Sequence, residues 1–148
     1  MMKRHEEEEG GNLSALVKGE LAAVETYKQA LEKVPAEEGG AELRRIEAEH
    51  EEAVSLLQEH MSEGNLEVPE DSGLWGDWAK AVEGGAKVLG KKAAIKALKE
   101  GEEHGLHEYE DALRDETLDG EIRKIILSEL LPRTKAHVNV LDKLLAAV

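Results

Sequence analysis

Cysteine is absent from the 148 residues. That excludes a disulfide framework, a thiolate zinc site and a cysteine nucleophile, so any metal must be held by carboxylate and imidazole. No apolar run approaches the length of a membrane span. Positive charge is also short. Nineteen Lys and Arg face 33 Asp and Glu for a formal charge of −14, which argues against nucleic acid and anionic membrane surfaces as partners and favours cations. The start, MMKRHEEEEGG, places four acids where a secretory signal would carry its apolar region. The reading is a cytoplasmic protein with a disordered acidic N-terminus over residues 1–11 and a single domain over 12–148, long enough to bury a core.

Proline and β-branched residues are sparse while Ala, Leu, Glu and Lys dominate, so local propensity is helical nearly throughout and no strand pattern appears. A first helix is expected from Asn12 or Ser14 to about Lys33, stopped by Val34-Pro35. A second is expected over 38–63, ending at the left-handed pair Gly64-Asn65. The third is expected over 91–116 and the fourth from Asp119, a reasonable N-cap, to near the C-terminus. Between the second and third, Trp75, Trp78, Val82 and Leu89 lie at helical spacing among Pro and Gly, suggesting a short crossover helix anchored by the tryptophans. Short, long and short connections predict an all-α four-helix bundle of ferritin-like topology, two antiparallel hairpins joined by a long crossover. Pro132 should kink the fourth helix just before His137.

Helices one and three share a written pattern. Gly19 to Leu31 reads GELAAVETYKQAL and Gly101 to Leu113 reads GEEHGLHEYEDAL. At about 100° per residue, Leu13, Leu16, Val24, Tyr27 and Leu31 fall within about 40° of Glu20, and Ile95, Leu98, Leu106, Tyr109 and Leu113 do the same around Glu102. Both glutamates therefore point into the core, where a lone carboxylate is costly and matched ones demand cations or hydrogen bonds. In helix two, Leu43, Ile46, Val54 and Leu57 surround His50; in helix four, Leu130, Leu141 and Leu144 surround His137. Glu47 lies three residues before His50 and can reach the same point. Thr134 stands where the fourth helix would carry the matching acid.

One glutamate from each of two helices plus Glu-x-x-His from the other two is the ligand set of ferritin-like di-iron and di-manganese proteins. Five of those six positions are present. On these residues the chain resembles the DUF2383 family of small ferritin-like bacterial proteins over nearly all of its length after Gly11. The resemblance implies the bundle and, residue by residue, Glu20, Glu47, His50, Glu102 and His137 as metal ligands. Iron is the first choice, manganese or zinc the alternatives.

Two functions are open. One is a metal protein handling iron, dioxygen or peroxide, which as an enzyme would be a di-metal oxidase, ferroxidase or peroxidase. The other is a non-enzymatic stress or scaffold bundle whose polar layer is structural, closed by Arg133, or holds one zinc. Metal ions are the expected partners, and a homodimer is allowed. The simpler roles are core filling for Tyr27 and Tyr109, a surface position for Glu25 and His107, and solvation for His5, His60 and His104. Glu103, about 100° off the core direction, could swing in as the missing acid.

Overall fold

The computed structural model describes the backbone of residues 2–69 and 90–148, and side chains from residue 13 onward within those spans. All regular structure among the described residues is helical. Helix α1 covers Met2–Leu31, α2 Gly40–Glu63 and α3 Lys91–Arg114. The fourth rod is composite: α4 (Gly120–Ile125), a π-helical turn (Ile126–Leu130) and α5 (Leu131–Ala147). The crossover helix expected around Trp75, Trp78, Val82 and Leu89 lies outside the described residues.

Helix α1 starts at Met2, ten residues before its expected N-cap. Glutamate is a good helix former, and two glycines in a row cost only about 1 kcal/mol each against alanine. At the other end the helix stops at Leu31, and Pro35 then caps a short 3-10 turn, Ala36–Glu38. The hairpin closes through Gly39 at φ 112° and Gly40, where an added Cβ would lie 2.7 Å from the Val34 carbonyl oxygen.

At the end of α2, Asn65, at φ 57°, takes the left-handed conformation. Leu66 N–H returns to the Met61 carbonyl at 2.8 Å and Asn65 N–H to Ser62 at 3.1 Å. These are the two bonds of a Schellman cap, and they satisfy carbonyls that the helix would leave bare.

The composite fourth rod has a cause in its sequence. Ile122, Ile126, Leu130 and Thr134 are all buried and lie in steps of four. In an α-helix three such steps swing about 120° around the axis, taking the last residue off the core face. A π turn closes a wider ring per turn, so steps of four stay aligned. Pro132, two residues beyond it, has no N–H for the preceding turn. The distortion lies in the turn preceding Pro132, upstream of His137.

Helix α1 packs chiefly on α2 and α3 on α5, and α1 also packs on α3. Tyr27 reaches Glu102 and Tyr109 reaches Glu20. The paired residue numbers add to 129 in both cases, so α1 and α3 are antiparallel. Since α2 is antiparallel to α1, α2 and α3 run the same way. Two ion pairs agree: Lys91 with Glu38 at 3.3 Å at one pole, and His60 with Asp119 at 3.3 Å at the other. The chain leaves α2 at one end of the bundle and enters α3 at the opposite end.

Two apolar clusters fill the interior. One contains Leu13, Leu16, Leu57, Met61, Tyr109, Ile122 and Ile126; the other contains Tyr27, Leu43, Ile46, Ile95, Leu98 and Leu141. Between them lies the layer that both clusters exclude from water: Glu20, His50, Glu102, Thr134 and His137, each buried.

Candidate metal centre

Each of the four rods contributes a polar side chain to this layer. His50 from α2 is its hub. Its Nδ1 lies 2.5 Å from Glu20 Oε2 of α1 and its Nε2 lies 2.5 Å from Glu102 Oε1 of α3. A neutral imidazole has one N–H to donate, and only the imidazolium can donate to both acids. Burial opposes that charge, but Glu102 and Glu20 outweigh it and hold His50 well above its ordinary pKa. In return, Glu102 is pushed up by burial yet held far below the usual carboxylate range by His50 and by the hydrogen bond with His137.

His137 from α5 sits beside the hub, its ring 4.9 Å from that of His50. Its Nδ1 is 3.3 Å from Glu102 Oε2, and its Nε2 is 2.6 Å from Glu49 Oε2. The tyrosines close the other side. Tyr27 donates to Glu102 Oε1 at 2.7 Å and stacks on His50 with centroids 5.4 Å apart. Tyr109 donates to Glu20 Oε1 at 2.5 Å. Burial and the acid that each one faces raise both phenols well above their ordinary value. A cavity of about 30 Å³, room for roughly one water, lies against Glu20, His50, Glu102, both tyrosines and Gly105.

Four of the five residues singled out by sequence therefore meet: Glu20, His50, Glu102 and His137. Glu47 does not. It is half-buried and stands near Glu51, Lys28 and Arg44; burial and Glu51 raise its carboxyl. Its place is taken by Glu49, one residue before His50 and on the opposite flank of α2, toward α5. No single-helix pattern marks Glu49, because what recruits it is the approach of α5.

Other expectations need correction. Tyr27 and Tyr109 fill core space, but each also binds the glutamate of the opposed helix, an option created by the antiparallel register. Glu103 stays exposed beside Lys99 at 3.7 Å. Arg133 does not close the layer: it pairs with Glu52 at 3.2 Å, and its Nη1 is buried without a partner. Thr134 settles its hydroxyl on the Leu130 carbonyl at 2.8 Å, within its own helix. Glu25 and His107 are exposed, as expected, while His104 pairs with Glu108 at 3.3 Å and His60 with Asp119.

The pattern shared by helices one and three extends only in part to helices two and four. Crossed Tyr–Glu pairs relate α1 to α3 symmetrically, whereas His50 touches both central glutamates and His137 touches Glu102 and Glu49.

One ligand atom from each of His50, Glu102 and His137 lies within 4.8 Å of the others. Donors around one ion with bonds of about 2.0–2.2 Å stand about 3–4 Å apart. A contraction of about an ångström would bring this trio to binding distance. Imidazole and carboxylate are the donors that zinc, iron and manganese accept. The residues present fit a divalent ion.

No curated protein and no solved structure matches the sequence. A family model, the domain of unknown function DUF2383, matches residues 9–115. That span holds α1 from residue 9 onward, α2 and α3 with the paired glutamates, the crossed tyrosines and His50, and the chain belongs to the DUF2383 family.

Proposed function

We propose that this protein is a ferritin-like bundle whose core cluster binds a divalent transition metal, with His50, Glu102 and His137 as primary ligands and Glu20 and Glu49 beside them. The observation that carries the reading is the convergence of those three buried ligand atoms from α2, α3 and α5. Iron is the preferred metal, since a mixed carboxylate and imidazole set serves both of its common oxidation states. Bound there, it would supply redox or Lewis-acid chemistry toward dioxygen or peroxide.

The chain's own residues set the terms. Glu20 and Glu102 supply negative charge, and their tyrosine partners hold one oxygen of each fixed. The proton on His50 must leave before that ring can ligate, so binding releases protons and weakens in acid. The cavity beside Glu20 and Glu102 has room for a molecule of about the size of water, which suits a small substrate. The apolar clusters above and below keep bulk water out.

A second reading has its own observation. Every ring nitrogen and central carboxylate of the layer is already matched within the protein. The layer could therefore serve as a structural polar network in a non-enzymatic bundle, or hold one zinc. Metal analysis of protein purified without chelator separates the two. About one to two iron or manganese ions per chain supports the first, whereas a metal-free protein, or a single zinc that Glu102→Ala loses, supports the second.

A further inference from the structure

The pole where α2 ends and α4 begins carries a second group of ligands that the core layer does not use. His60, Asp119 and Glu121 each offer one ligand atom, and all three atoms lie within 4.8 Å of one another. We propose that they form a separate binding site for a divalent cation of the zinc type, clamping the end of the first hairpin to the turn of the second.

The spacing of the three groups suits a cation. His60 Nε2 and Asp119 Oδ2 are 3.3 Å apart. Tetrahedral bonds of about 2.0–2.2 Å place neighbouring donors about 3.3–3.6 Å apart, so this pair already spans one edge of a zinc tetrahedron. Glu121 adds a second carboxylate within 4.8 Å of both, giving three donors that one cation can share. Asp119 occupies the N-cap position of α4 but makes no side-chain capping hydrogen bond. A capping Asp normally gives its oxygen to the first turn; here the carboxylate is committed to His60.

The ligands are carried by rigid backbone. Each is the chain neighbour of a buried residue, namely Met61, Leu118 and Ile122, and those three belong to one packed cluster. The turn before Asp119 is pinned by Arg123, which donates to the carbonyls of Leu113 at 2.6 Å and Asp115 at 2.7 Å. A site built this way loses little order when it binds. His60 lies ten residues along α2 from His50, about 15 Å by helical rise, so neither site can share the other's ion.

The test is zinc uptake by chelator-stripped protein dialysed against micromolar zinc chloride, with wild type, His60→Gln and Glu121→Gln side by side. Wild type should hold one zinc per chain more than His60→Gln, and Glu121→Gln should bind that ion at least about tenfold more weakly. Any zinc at the core cluster is common to all three proteins and cancels, so the result stands whether or not the core binds metal. Amide spectra of wild type should show zinc-dependent shifts at residues 60, 119 and 121. Equal uptake by the three proteins, or shifts absent from this pole, would overturn the proposal. Glu121 is exposed, so its variant keeps the test valid should His60→Gln disturb the fold.

Discussion

Replacing Glu102 by alanine tests the core layer most severely, because this carboxylate serves three donors. Tyr27, His50 and His137 approach it at 2.7, 2.5 and 3.3 Å. The last is long for a charge-assisted bond and can be set aside. Two buried donors then lose their acceptor, at about 1–3 kcal/mol each, and His50 also loses one of the two charges that keep it protonated. The cavity can admit a water to relieve part of this, so a loss of about 3 kcal/mol is expected in chelator, or roughly 6–12 °C in melting temperature for a domain of this size. Urea and thermal unfolding measure it, with near-ultraviolet absorbance reporting the tyrosines. In a His60→Gln background, which removes the second cluster, added iron or zinc at a hundredfold its dissociation constant should raise stability by about 2.7 kcal/mol and leave the further change Glu102→Ala unmoved. A loss below about 1 kcal/mol in chelator would refute the network. A wild-type melt insensitive to metal and chelator alike would refute the bound ion.

Metal-free stability should depend on pH in a defined sense. The pKa of His50 is raised in the folded state, so its contribution is complete below about pH 6.5, the unfolded value, and is lost as pH rises through the folded value; that of Glu102 is lowered, so its contribution is present above about pH 4.5 and lost in acid. Urea midpoints in chelator should therefore fall toward alkaline pH, a decline that His50→Ala should reduce. Glu108 behaves oppositely: burial and the nearby Glu20 raise it to about 7, so folding binds its proton and its ionisation costs stability as pH climbs from about 4.5 toward 7. Glu108→Gln should stabilise the protein at pH 8 by of order 1 kcal/mol and do little at pH 4. Tyr109→Phe removes one buried hydrogen bond but no ligand, so about 1–2 kcal/mol should be lost in denaturant melts while metal retention survives. Gly40→Ala should cost about 1–3 kcal/mol, since its Cβ meets the Val34 and Pro35 carbonyl oxygens at 2.7 and 2.8 Å, whereas Gly105→Ala, with nothing within 4 Å, should gain up to about 1 kcal/mol.

What the sequence made legible is what a single helix encodes. Apolar spacing placed Glu20, His50, Glu102 and His137 on core faces because each interrupts a stripe that must be buried, and all four are buried. Burial of such groups is a demand for partners, but the stripe does not say which ones. Glu47 and Glu49 flank His50 at about +60° and −100°, and a one-helix argument prefers the smaller angle. The bundle reverses the choice: Glu47 lies toward Lys28 of α1, while Glu49 lies toward the imidazole of α5. The tyrosines fill core space as expected, but their hydrogen bonds are hidden from a one-helix argument for the same reason. Measured along one helix, Tyr27 is about 10 Å from Glu20, too far to matter; across an antiparallel pair the same seven-residue spacing delivers it to Glu102 and delivers Tyr109 to Glu20.

Repetition of Glu-x6-Tyr in α1 and α3 therefore carried more information than its apolar pattern alone. In a parallel pair the two glutamates would face each other at one level and the tyrosines at another, leaving the acids without phenol donors. In an antiparallel pair each tyrosine arrives at the opposite acid and the two crossed bonds form together, which fixes axial register to within a residue. That register places His50 between both carboxylates and requires α2 and α3 to run in the same direction. A four-residue turn cannot join parallel helices whose joined ends lie at opposite poles, so a connection long enough to span the bundle follows from the tyrosine repeat itself. By this logic Tyr27→Phe and Tyr109→Phe should not be independent. Each single change leaves the other crossed bond to hold the register, and the double variant should lose more than the two singles together. A coupling of about 0.5 kcal/mol or more in a double-mutant cycle is the expected result; simple additivity would mean that apolar packing alone sets the register and that the phenols only fill space.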